Sequence, residues 1–198
     1  AAGNGVLQSN VQPGDVKYVD VNHDGAINAN DKVDLGNGLP KYTFGFNFTL
    51  GYKGFDLSAN FTGAAGFQIA QSYRDPSGSQ GNYSHRILGR WTGEGTSNKY
   101  PILKAGDATN WQVSDLYICD GSYLRVKNIS LGYTLPKNLT QKLSISCLRF
   151  YVMAENLITW TKYWGFDPEI SSGGTSLGVD RGIYPQARTY TIGFNLSF

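Results

Sequence analysis

The sequence predicts an all-β fold, an antiparallel transmembrane β-barrel of which this chain supplies several strands. Three observations carry that reading. Residues 190–198 read YTIGFNLSF, so Tyr190, Ile192, Phe194, Leu196 and Phe198 share one face of a strand, and Thr191, Gly193, Asn195 and Ser197 share the other. One greasy face and one small, polar face is what a wall between lipid and an aqueous lumen requires. Composition points the same way. Tyr at 13 and Phe at 10 far outnumber Met at 1, Gly reaches 25, and no apolar run approaches the roughly 20 residues of a spanning helix. Finally, short and long connections alternate along the chain, as they do where tight periplasmic turns face long outer loops.

The elements follow in order. Residues 1–40 are predicted to be an extracellular loop region, Gly/Asn/Gln-rich at first, briefly strand-like at 16–19, then Asp/Asn/Gly-rich. Residues 41–198 are predicted to hold five transmembrane strands and two long extracellular loops, 63–120 and 158–187. The first strand, 42–52, puts Tyr42, Phe44, Phe46, Phe48, Leu50 and Tyr52 on one face. Lys53-Gly54 is a tight-turn signal, and Phe55, Leu57, Ala59 and Phe61 line the return strand. The third strand, 123–135, breaks phase: Leu124 and Val126 fall on one side, Ile129, Leu131, Tyr133 and Leu135 on the other. A bulge near Lys127-Asn128 would repair it. Residues 136–146 form a connector with room for one helical turn, and 148–156 form the fourth strand. The five strands then run down, up, down, up, down, with the C-terminus on the periplasmic side. Five strands are too few to close a bacterial barrel, which starts at about eight, so further strands are expected upstream. The N-terminal AAGNGVLQSN has no signal-peptide pattern, and together with the definite terminal strand it suggests a chain entered midway. Cys119 and Cys147 fall at opposite ends of one predicted strand, too far apart to bridge.

One segment has the spacing of a metal loop. Residues 20–31 read DVNHDGAINAND. Against a 12-residue EF-hand loop, Asp20 takes position 1, Asn22 position 3, Asp24 position 5 and Gly25 the sharp turn at 6. Ala26 would offer its carbonyl at position 7, Ile27 is the apolar residue at 8, Asn28 is at 9 and Asp31 at 12. A hard Ca²⁺ ion wants several oxygens, and alternate residues on a tight loop can converge on it. Asp31 is shorter than the usual bidentate Glu, and the upstream flank PGDVKYV looks extended rather than helical. The expectation is therefore a structural Ca²⁺ loop, not a switch. The plainer reading is an Asx/Gly-rich turn whose carboxylates cap their own backbone. His23 is expected in solvent, and His85 has no ligand cluster near it in sequence.

These segments together resemble the C-terminal end of the SusC/RagA family of TonB-dependent outer-membrane transporters. The resemblance is carried by GDVKYVDVNHDGAINANDK at 14–32, GNGLPKYTFGFNFTLGYKGFDLSANFTG at 36–63, RWTGEG at 90–95 and DGSYLRVKNISLGYTLPKNL at 120–139. LRFYVMAENLITWTKYWGFDPEI at 148–170 and GIYPQARTYTIGFNLSF at 182–198 complete it. It implies a barrel of about 22 strands plugged by an N-terminal domain, TonB as the energy source, and a SusD-like surface lipoprotein as a lid. It also gives Phe198 the role of a barrel-assembly signal. The plug and the TonB-contacting segment are not in this sequence.

The first functional expectation is therefore nutrient import across the bacterial outer membrane, with a glycan or peptide as substrate and the lipid bilayer as surroundings. Asp56, Asn60, Arg149 and Glu155 would face the wet interior. Trp91, Tyr163 and Trp164 would stack on sugars or pack against the lid, and Tyr52, Tyr133 and Trp160 would anchor at the membrane interface. The alternative is a secreted calcium-dependent β-rich binding or adhesion module; a dockerin-like domain would want the calcium loop twice, and one copy exists. Ser, His and acid residues form no nucleophilic or paired-carboxylate motif, so no enzyme is expected. A net charge of +2 with mixed signs shows no basic cluster for nucleic acid.

Overall fold

The computed structural model describes residues 8–72, 83–104, 106, 107, 109–170 and 176–198. The parts of the two long loops at 73–82, 105, 108 and 171–175, and residues 1–7, lie outside the described residues. The chain divides into two compact units, 1–35 with 73–117, and 36–72 with 118–198.

The second unit is β-structure. It contains β1 (Tyr42–Tyr52), β2 (Phe55–Ala65), β3 (Gln68–Gln71), β4 (Ile118–Asp120), β5 (Tyr123–Thr134), β6 (Cys147–Thr161), β7 (Val179–Asp180) and β8 (Thr189–Ser197). A five-stranded antiparallel sheet has the order β1-β2-β5-β6-β8, each strand beside its neighbour in sequence among the long ones. β1 and β8 each keep one unpaired edge, so the chain forms an open sheet and no closed barrel. Five strands at about 4.8 Å spacing cannot wrap upon themselves around a lumen. The β1–β2 hairpin turns on Lys53 and Gly54, both at positive φ (47° and 87°), the backbone a two-residue turn needs.

The phase break in β5 is a bulge. Asn128 pairs with Asn60 and Val126 with Phe61, leaving Lys127 as the extra residue. Leu124 and Val126 therefore return to the face of Ile129, Leu131 and Tyr133. Two strands run further than their alternation suggests. β2 continues to Ala65, and β6 to Thr161, past Asn156 at φ 50°. The connector holds α1 (Lys137–Thr140) and one 3-10 turn.

β3, β4 and β7 form a small sheet in the order β4-β3-β7, with β3 and β7 parallel. β3 and β4 continue the β2–β5 ribbon beyond Gly66 and Gly121, where the Gly121 N–H donates to the Phe67 carbonyl at 3.0 Å. Here lies the hydrophobic cluster of this unit: Ala64, Phe67, Ile69 and Tyr163, with Cys119, Tyr123 and Ile170 against it. Cys119 and Cys147 are not joined by a disulfide, and they sit in two different strands, β4 and β6, rather than at the ends of one.

The first unit has no strand among its described residues. The extended stretch at 16–19 finds side chains instead of a neighbouring strand. Gln8 accepts from the Tyr18 N–H at 3.1 Å and donates to the Val16 carbonyl at 3.1 Å. Among the described residues of this unit the buried side chains form a polar knot. Asn110 donates to Asp107 at 2.6 Å and to Asp15 at 2.9 Å, and accepts from the Val16 N–H at 2.7 Å. Lys104 closes on Asp15 at 2.7 Å. Burial pushes the Asp15 carboxyl up, but Lys104, Asn110 and the Gln12 N–H outweigh it and hold the group below its ordinary value.

Candidate functional site

The register of the large sheet sorts its side chains into rows. On one face, Tyr52, Phe55, Tyr133, Phe150 and Phe194 stand side by side across all five strands, with ring centroids 4.4 Å apart for Phe55–Tyr133 and 6.3 Å for Phe150–Phe194. The next row is wholly aliphatic: Leu50, Leu57, Leu131, Val152 and Ile192. Then come Phe48, Ala59, Ile129, Ala154 and Tyr190; Phe46, Phe61, Val126 and Ile158; and Phe44, Gly63, Leu124 and Trp160. No charged residue interrupts these rows. Among the described residues no second layer covers them: Ile192 is 86 % exposed, Phe194 64 %, Leu50 61 % and Phe46 59 %. A soluble sheet buries such a face against a second layer. β1, at 11 residues, rises about 33 Å and, at the usual tilt, crosses about 25 Å of hydrocarbon.

The opposite face is polar in register. One row reads Asn47, Asn60, Asn128, Glu155 and Thr189, and another Thr49, Ser58, Ser130, Met153 and Thr191. Asp56, Asn60, Arg149 and Glu155 all lie on this face, as the alternation predicts. Arg149 reaches from β6 across β5 to Asp56 on β2, with two bonds at 2.9 and 2.5 Å. It can cross because β5 offers Gly132 there; a Cβ at that position would run into the guanidinium. Tyr151 lies in the same way over Gly193 of β8.

Arg125 sits higher on the polar face, 2 % exposed. It binds Thr159 at 2.8 Å, Asp167 at 2.5 Å and Glu169 at 2.6 Å. Asp167 also accepts from the Gln186 N–H at 3.0 Å, so one buried guanidinium–carboxylate pair holds two parts of the 162–187 segment to the sheet. Sequence reasoning missed this cluster, because Arg125 and Asp167 are 42 residues apart. Tyr163, expected to be available for stacking, is buried at 5 % exposure, with its hydroxyl donating to Asp180. Trp91 packs its ring over Gly14. Tyr52 and Trp160 are exposed on the apolar face.

In the 20–31 loop, Gly25 turns the chain at φ 82°, a conformation suited to glycine. Asp20 accepts from the Gly25 N–H, Asp24 from the Ala26 N–H and Asn22 from the Asp24 N–H, at 2.9, 2.9 and 3.0 Å. Asn28 caps a 3-10 turn at Ala29–Asp31 and donates to the Ala26 carbonyl at 3.0 Å. Asp31 accepts from the Val21 N–H at 2.9 Å and from the Asn28 N–H at 2.7 Å. The carboxylates thus cap their own backbone, and no group of three His, Cys, Asp or Glu placed to hold a metal forms among the described residues. One oxygen does fit a cation: Asp20 Oδ1 is buried without a hydrogen-bond partner. The donor set itself, all oxygen, suits Ca²⁺. The Asn28 N–H, with those of Val21 and Asn22, holds the Asp31 carboxyl below the usual carboxylate range. A depressed folded value means these bonds stabilise the loop at neutral pH and are lost as pH falls below about 4. Protection factors at Val21 and Asn28, corrected for the intrinsic exchange rate, should fall over that window, ahead of the sheet.

The fold and its two faces define an antiparallel β-wall with one side suited to lipid and one to water. No protein-family model matches the chain. It is 32 % identical over 99 % of its length to TonB-dependent receptor P3 of Formosa agariphila, covering 20 % of that protein. It is 28 % identical over 98 % of its length to TonB-dependent receptor SusC of Bacteroides thetaiotaomicron, covering 18 %. Among solved structures, it matches a chain of the RagAB peptide importer in the closed-closed state with a TM-score of 0.68 and 31 % identity, over 94 % of this chain and 20 % of that one. The chain is therefore homologous to SusC/RagA TonB-dependent receptors, spanning about a fifth of the length of the relatives it matches. Those relatives are transporters, not enzymes.

Proposed function

We propose that this chain is the C-terminal wall segment of a TonB-dependent outer-membrane nutrient importer of about 22 strands. The importer takes up a glycan or peptide with a SusD-like surface lipoprotein and draws energy through TonB. The observation that carries this reading is the uncovered apolar face, whose five rows match a lipid-facing band, backed by polar rows on the reverse. Transport needs no nucleophile here; the wall contributes a wet inner surface and anchored outer segments. The short turns face the periplasm, and the 63–120 and 158–187 segments face outward. The test uses the full-length protein. It should fractionate with outer membranes, need detergent for extraction and shift its gel mobility on heating, and cells lacking it should lose growth on the cognate glycan or peptide. Purification of the full-length protein from the soluble fraction without detergent would favour the secreted binding module instead.

We propose further that the 20–31 loop holds a structural Ca²⁺. Asp20, Asn22, Asp24, Asn28 and Asp31 would supply side-chain oxygens and Ala26 its carbonyl, and the ion would neutralise crowded carboxylates. Support comes from the spacing and the orphaned Asp20 Oδ1. Calorimetric titration should show Ca²⁺ binding that Asp20→Ala weakens at least tenfold. Equal affinity in the variant and the parent would remove the claim.

A further inference from the structure

We infer that the short-turn end of the sheet docks on anionic phospholipid headgroups, using Lys53, Lys137 and Lys142 as the contacts. The inference rests on the membrane-wall reading and adds a partner to it. The charged side chains of the two turns at this end are all cations. Lys53 stands exposed at the tip of the β1–β2 hairpin, its ammonium 5.3 Å from the Tyr52 ring centroid. Residues 135–146 contain Lys137 and Lys142, both exposed, and no Asp or Glu. The hairpin tip and this connector adjoin, since the Thr134 N–H donates to the Gly54 carbonyl at 2.8 Å. The nearest strand carboxylate, Asp56, lies on the polar face and is already held by Arg149. The opposite end of the same unit mixes signs, with Asp120, Lys162, Asp180 and Arg181.

The apolar setting fits a membrane interface as well. α1 buries Thr140 and leaves Leu139 59 % exposed between the two lysines. The aromatic row of Tyr52, Phe55, Tyr133, Phe150 and Phe194 borders these turns. Amphipathic rings at the headgroup level, with lysines extending past them, are the arrangement by which proteins hold an anionic lipid surface. An aqueous protein partner would not call for an exposed leucine between the two lysines. The turn end faces the phospholipid leaflet in the proposed orientation, so the occupant is phosphatidylglycerol-type lipid.

The experiment equilibrates the full-length protein with vesicles of phosphatidylethanolamine and phosphatidylglycerol, then extracts it and reads the bound-lipid ratio by native mass spectrometry. The parent protein should enrich phosphatidylglycerol over the bulk mixture. The triple variant Lys53→Gln, Lys137→Gln, Lys142→Gln should lose that enrichment by about fivefold per lysine at low salt. The matching triple Lys→Arg variant should keep it. Undiminished enrichment in the Gln variant, or equal loss in the Arg variant, overturns the inference. Heat-shifted gel mobility in every sample separates this outcome from failure of the wall reading, in which the parent itself would not insert.

Discussion

Replacing Arg125 with alanine is expected to release the 162–187 segment from the sheet at a cost of about 3–5 kcal/mol. The side chain is 3 % exposed and that of its partner Asp167 5 %, so truncation leaves a buried carboxylate without its cation. The effect exceeds that of an exposed ion pair, because water cannot replace the lost partner. Glu169 is half-exposed and can turn to Lys127, already 3.3 Å away. Asp167 cannot, since it also receives the Gln186 and Glu169 N–H groups. Hydrogen exchange on the full-length protein should show protection lost at Glu169 and Gln186 while β1 and β8 keep theirs. Arg125→Lys, which preserves the charge but not the fork to two carboxylates and Thr159, should fall between. Unchanged protection in the alanine variant would mean that the β3–β7 pairing and the Tyr163–Asp180 bond hold the segment without it.

A second large effect is expected from two adjacent positions on β5. Leu131→Arg places a cation in the middle of the aliphatic row and should cost about 2–4 kcal/mol of membrane stability. Ser130→Arg, one residue away, points to the polar face and should cost little. The contrast is the measurement: folded fraction by heat-shifted mobility after refolding into vesicles, compared between the two variants. A two-layer soluble sheet would also resent Leu131→Arg, but only a lipid-facing row makes the penalty fade toward the strand ends. Tyr42→Arg, at the far end of β1, should therefore be tolerated. Equal penalties at Leu131 and Tyr42 would sink the lipid-facing assignment.

Much of the large sheet was legible because alternation is a local signal. β1 emerged with its observed bounds, Tyr42–Tyr52, since nothing interrupts its period of two. The bulge at Lys127 was legible through its symptom, a phase error that one extra residue cures. β6 read short because Asn156 resembles a turn residue, whereas it takes φ 50° within the strand opposite that bulge. β3, β4 and β7 were invisible: two to four residues carry no period, and their pairings join Gln68 to Asp120 and Ala70 to Val179. The 20–31 loop was legible in its residue types and its glycine turn, but not in how each carboxylate divides its oxygens between N–H groups. Arg125 gave no signal at all, because a lone arginine in a strand does not name partners that the chain brings back 42 residues later.

The glycines beneath Arg149 and Tyr151 have a consequence for the shape of the polar side. Long side chains that recline across a neighbouring strand take up width along the wall rather than radius from it. The relief of the polar face at that level is set by backbone, and the reclining cation is paired with Asp56. Such a stretch is a low-relief patch on which the guanidinium charge is already matched by Asp56. Gly132→Val would stand the guanidinium off the wall and part it from Asp56.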